Sequence, residues 1–86
     1  MINEQLLPNE GLSGYSLSVH PNPTTGIIKI ISNKTIDKVF IYDYVGDLIK
    51  ELKYEKEVNI SEFASGVYFL GIQSEGIFAK IKIVKE

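Results

Sequence analysis

The sequence predicts an all-β fold, a small antiparallel immunoglobulin-like β-sandwich of about seven strands, with a barrel as the alternative. Three observations carry that expectation. Short runs rich in Ile, Val, Tyr and Phe alternate with Gly, Pro, Asn and Asp turn signals from Tyr15 onward. No apolar pattern of helical period runs far enough to build a helix of any length. The stretch Ser61 to Ile72, SEFASGVYFLGI, carries the mark of a sandwich corner.

That stretch organises the rest. Val67, Tyr68, Phe69 and Leu70 form an unbroken run of residues that suit a pleated strand with little exposed face. The spacing Phe63-x-x-Gly66-x-Tyr68 places a glycine where the chain turns between sheets. A tyrosine at the start of the next strand folds its hydroxyl back onto upstream backbone. A buried phenol needs a hydrogen-bond partner, and a corner supplies free carbonyls. Tyr68 is therefore read first as a folding device.

Residues 1–14 carry Asn, Glu, Gln, Pro, Gly and Ser with few apolar residues, and read as a flexible linker. Tyr15 to Val19 alternates apolar and polar, as a half-buried strand does. Pro21 and Pro23 flank Asn22 and leave only a rigid, extended turn. Gly26 releases the chain into the strand Ile27–Ile31. Ile36 to Tyr42 is the third strand, with Val39 and Ile41 on one face and Phe40 and Tyr42 on the other. Asp43 to Asp47 is a tight turn with Gly46 left-handed, and Leu48–Leu52 completes a hairpin. A charged connection, Lys53 to Glu57, leads to the short strand Val58–Ile60. Ser61 to Ala64 is expected to make one helical turn. After the central strand, Ser74-Glu75-Gly76 turns the chain into a last strand. There Ile77, Ala79, Ile81 and Ile83 face one side, and Phe78, Lys80, Lys82 and Val84 the other. Outward lysines on a terminal strand guard against edge-to-edge pairing.

Composition narrows the function. Eighty-six residues, 44% hydrophobic and 23% charged, make one ordinary globular domain. Nine Lys, no Arg and eleven acidic residues give a net charge of −2. That balance argues against a nucleic-acid partner, which asks for basic excess and bidentate Arg. Without cysteine there is no disulfide, thiol catalysis or thiolate metal site. His20 is the only histidine and precedes a proline turn, with no nucleophile for it to activate. Asp37, Asp43 and Asp47 lack the ligand spacing of a calcium loop, and turn formation accounts for them better. Gly66 and Gly71 flank a strand and so make no phosphate loop. Tyr42, Tyr44, Tyr54 and Tyr68 raise a sugar platform, but Tyr42 and Tyr68 read as packing residues and Tyr44 and Tyr54 as exposed turn or linker residues. The expectation is a small all-β module that is not an enzyme, takes no cofactor and binds no small molecule.

Four motifs in sequence go further. Pro21-Asn22-Pro23-Thr24-x-Gly26 comes first, then Val39-x-Ile41-x-Asp43-x-x-Gly46. Asn59-Ile60-Ser61-x-Phe63-x-x-Gly66-Val67-Tyr68 is third, and Gly76-x-x-x-Lys80-x-x-Ile83-Val84-Lys85 last. Their order resembles the C-terminal sorting domain of the type IX (Por) secretion system of Gram-negative bacteria. The resemblance spans Leu17 to Glu86 and assigns residues 15–86 to that domain. Two departures are His20, where the family usually has Tyr or Phe, and a basic pair split as Lys80-x-Lys82.

The resemblance implies a domain that does no chemistry and is read by other proteins. It would ride on a larger cargo through the periplasm and across an outer-membrane translocon to the cell surface or beyond. A sortase-like cysteine peptidase would then cut upstream of it, and residues 1–86 would be the tail of a longer precursor. For recognition the expectation falls on the last strand, with Lys80, Lys82, Ile83, Val84 and Lys85, read by strand addition to a partner's sheet. Pro21, Asn22, Pro23, Gly26, Asp43, Gly46, Gly66, Tyr68 and Gly76 would form the structural motif. Self-association through edge strands is a further expectation. The rival readings are an accessory carbohydrate-binding or adhesive sandwich, which needs aromatic residues exposed on one face, and an inert spacer.

Overall fold

The computed structural model describes residues 15–53 and 56–86. The expected linker and Tyr54 lie outside the described residues. Seven strands form: β1 (Leu17–His20), β2 (Ile27–Ser32), β3 (Lys38–Asp43), β4 (Leu48–Lys53), β5 (Glu57–Asn59), β6 (Gly66–Ser74) and β7 (Ile77–Lys85). They make a smaller sheet in the order β1-β2-β5 and a larger one in the order β4-β3-β6-β7. All pairs of named strands are antiparallel. Hairpins β1-β2 and β3-β4 begin in opposite sheets, then β5 returns to β2 and β6 to β3. That return is the Greek-key step of an immunoglobulin-like sandwich, as the strand count and turn spacing predict.

Alternation along the strands builds the core. Ile28 and Ile30 of β2 and Val58 of β5 face Val39 and Ile41 of β3, Leu70 and Ile72 of β6 and Ile83 of β7. Ile36 and Ile60 close the cluster from the connections. Burying a side chain of this size stabilises by ~1.5–3 kcal/mol, so this cluster dominates the folding energy. Every member is aliphatic, and no ring is fully buried among the described residues.

The glycine and turn signals do their expected work. Gly46 has φ +100°, and the hairpin around it is closed by Asp43, whose Oδ1 accepts from the Val45 and Asp47 amides at 3.1 and 2.8 Å. Glu75 and Gly76 both have positive φ, 50° and 86°, the pattern of a two-residue hairpin turn that matches strand twist. The Glu75 amide donates to Asp37 Oδ2 at 3.0 Å, tying this turn to the β2–β3 connection. At Gly26 a Cβ would come within 2.8 Å of the Ser61 Cβ, so only hydrogen fits where the loop meets the corner.

The corner is a tyrosine corner. Tyr68 Oη donates to the Ala64 carbonyl at 2.7 Å, and its ring packs on Phe63 at 5.3 Å between centroids. The helical turn expected at Ser61–Ala64 is absent. In its place is a single hydrogen-bonded turn, with the Phe63 amide donating to the Ile60 carbonyl at 2.9 Å. Asn59 Oδ1 takes the Ser61 amide at 2.9 Å and its hydroxyl at 2.6 Å, and so competes with helix formation. Too few residues separate β5 from β6 for a helix to nucleate.

A register shift between Ile41 and Tyr42 interrupts the β3–β4 ladder. Beyond it Leu48 pairs with Tyr42, on the face away from the core, and stands 53% exposed. β4 therefore contributes little burial except at Leu52.

Candidate recognition face

β7 is one edge of the larger sheet, and its alternation divides the residues expected to be recognised. Ile83 is fully buried in the core and cannot be touched by a partner. Lys85 shares its face and is only 9% exposed, with Nζ donating to the Glu86 carbonyl at 3.2 Å. Lys80 and Lys82 are exposed on the opposite face, with Val84 half-buried beside them. The three lysines do not form one patch.

The edge of β7 is also not open throughout. Proline has no N–H for a ladder, so the segment around Asn22 pairs through a side chain instead. Asn22 Nδ2 donates to the Lys82 carbonyl at 2.9 Å, and Asn22 Oδ1 accepts from the Val84 amide at 3.0 Å. Thr24 continues the contact through backbone: its amide donates to the Val84 carbonyl at 2.9 Å, and its carbonyl accepts from the Glu86 amide at 2.8 Å. Thr24 itself is buried, its Oγ1 donating to the Ile27 carbonyl and accepting from the Gly26 amide, both at 3.0 Å. The motif read as a rigid turn is thus also a clamp on the last strand. The signal lay in an amide side chain between two residues that cannot donate, but its partner is sixty residues away.

These bonds show that Lys82, Val84 and Glu86 aim backbone groups away from β6. Antiparallel alternation gives Phe78 and Lys80 the same orientation. Beyond the clamp, their amide and carbonyl groups have no bond across that edge among the described residues. A stretch of open edge remains at the start of β7.

On the outer face, pairing gathers residues that are far apart in sequence. Tyr42 pairs with Phe69 and Phe69 with Lys82; Phe40 pairs with Gly71 and Gly71 with Lys80. The Phe40 ring lies 6.3 Å from Tyr42 and 6.1 Å from Phe78, centroid to centroid. Lys80 Nζ stands 4.8 Å from the Tyr42 ring centre and 5.9 Å from that of Phe69, within cation–π range. Gly71 is the floor beneath them: a Cβ there would meet Phe78 Cζ at 2.6 Å and Tyr42 Cε2 at 3.0 Å. Phe78 remains 51% exposed. An open groove of about 560 Å³ extends the face at the start of β6, lined among others by Tyr44, Val67, Phe69 and Lys82, with Asp43 also on its wall. Tyr42 is thus on the outer sheet face, and Tyr44 is 73% exposed, as its turn position predicts. The aromatic cluster is the feature that sequence reasoning missed.

The carboxylate of Asp37 serves the Glu75 turn and that of Asp43 its own hairpin. Among the described residues no group of three or more His, Cys, Asp or Glu converges to hold a metal ion. Lys80 and Lys82 have no carboxylate partner among the described residues, whereas Lys38 pairs with Glu51 at 3.0 Å.

Residues 18–86 match the family model described as the secretion system C-terminal sorting domain. Comparison with curated proteins and with solved structures returns no significant match.

Proposed function

The chain belongs to the secretion system C-terminal sorting domain family, the sorting signal of type IX secretion, and from that premise we propose how it is read and then removed. The family role is non-catalytic; it directs export toward the cell surface or the extracellular space through the type IX machinery. The translocon reads the outward side of β7, presented by a folded sandwich, after the cargo has reached the periplasm. A sortase-like cysteine peptidase then removes the domain by cutting upstream of β1.

The supporting observation is the placement of β7. It is a sheet edge, it carries Lys80 and Lys82 on its exposed face, and on the side away from β6 the backbone at Phe78 and Lys80 has no bond among the described residues. An edge of this kind accepts an added strand, which gives affinity through main-chain bonds. The residues available to such a partner are Lys80, Lys82 and Val84; Ile83 and Lys85 hold the strand in place from the other side. The same open edge supports pairing with a second copy, which sedimentation of the isolated chain measures.

The test is export of a foreign passenger fused to this chain in a competent host. The wild-type fusion should appear outside and, by intact mass, lack the domain. A secreted passenger that keeps the whole domain would remove the peptidase from the account. A passenger that never leaves the cell would remove the sorting role.

A further inference from the structure

The outer face of the larger sheet has a chemistry that export by strand addition does not require. Lys38, Lys53, Lys80 and Lys82 pair in register onto it, and among the described residues Glu51 is the one carboxylate that does so. Among the described residues nine Lys stand against eight Asp and Glu, and four of those Lys are gathered on this face. Glu51 is engaged by Lys38, and although Asp43 lines the groove beside Lys82, neither Lys80 nor Lys82 has an ion pair among the described residues. The Phe40, Tyr42 and Phe78 rings beneath the lysines pack in tilted contacts, and Phe78 is the most exposed of them.

We propose that this face, where Lys80 and Lys82 stand beside Tyr42, Phe69 and Phe78, docks an acidic protein segment of the secretion machinery that also carries aromatic side chains. The inference rests on the reading of the domain as an export signal and names the chemistry of its partner. Charge complementarity selects the acidic segment: carboxylates meet Lys80 and Lys82 at the rim and steer the encounter. Aromatic side chains fit the exposed edge of Phe78 and the groove beside Tyr44 and Phe69, because rings pack on rings edge to face. A segment lying along β7 also reaches the edge backbone of Phe78 and Lys80, which has no outward bond among the described residues, so face and edge act on one occupant. The smaller sheet offers no such combination. Its exposed Ile27 and Ile31 stand beside Lys29, which already lies 4.0 Å from Glu57.

The probe is a short synthetic peptide alternating Glu and Tyr, titrated into the whole isotope-labelled chain and monitored by amide chemical shifts. The expected shifts cluster on β3, β6 and β7 and weaken as salt is raised. Replacing Glu by Gln in the peptide, or Lys80→Gln with Lys82→Gln in the protein, should cost roughly tenfold in affinity. Both lysines are exposed, so the doubly substituted chain should keep its amide spectrum elsewhere. Equal affinity of the Gln peptide overturns the proposal, as do shifts confined to the smaller sheet. An oligogalacturonate that binds the same face more tightly than the peptide overturns it in favour of an anionic polysaccharide. These outcomes are separate from the export role, which the passenger fusion tests without reference to the peptide.

Discussion

The two faces of the larger sheet are built from alternate residues of the same strands. The inner face, with Val39, Ile41, Leu70, Ile72 and Ile83, is aliphatic and fully buried. The outer face, with Phe40, Tyr42, Phe69 and Phe78 under Lys80, is aromatic and cationic, and much of it meets solvent. A sandwich this small needs one buried layer to fold. Its outer rings do not belong to that layer, yet they are packed on each other over a glycine that would have to stay small to seat them. The contrast separates what folds the domain from what is left to be read on it.

Substitutions sharpen that separation, and the inner face should give the largest effects. Ile83→Ala removes a buried side chain from the core and should cost about 3–4 kcal/mol in urea unfolding. A domain of this size holds only on the order of 5 kcal/mol, so the variant should keep only about 1–2 kcal/mol of stability. Loss of export on deleting residues 77–86 would therefore report unfolding as well as recognition. Thr24→Val should cost about 2 kcal/mol, since the buried Gly26 amide loses its acceptor while the backbone clamp remains. Gly71→Ala should cost roughly 1–2 kcal/mol, because Phe78 and Tyr42 must move to admit the methyl group. Tyr68→Phe should cost about 1 kcal/mol and lower the melting temperature by roughly 4–8 °C. An unchanged melting temperature would show that the corner hydrogen bond is dispensable. Lys80→Gln should fall within about 1 kcal/mol of the parent, the scale of an exposed cation–π contact.

Much of the fold was legible because its signals are local. Period-two alternation placed Val39 and Ile41 against Phe40 and Tyr42, and Phe78 opposite Ile83, on the correct faces. Turn chemistry placed Gly46 at positive φ and a turn at Ser74-Glu75-Gly76, and the Phe63–Tyr68 spacing identified the corner. The misreadings share a different cause. The expected helical turn at Ser61 depended on how Asn59 uses its side chain, which no propensity records. Lys80, Lys82 and Lys85 read as one docking group because they lie close in sequence; alternation sends Lys85 to the other face. The ring cluster depends on register between β3, β6 and β7, and register is a long-range property. Asn22 reaching Lys82 and Val84 is the extreme case.

The central claim is that the outer face and edge of β7 are read during export, while the inner face serves folding alone. It is tested most directly by the extracellular fraction of a passenger fused to the chain carrying Lys80→Glu and Lys82→Glu. The matched control reverses Lys29 and Lys56, which lie together on the smaller sheet, and both variants are first shown to melt like the parent. The account predicts that the passenger with the β7 substitutions stays inside while the control is exported normally. Equal export of the two would contradict it.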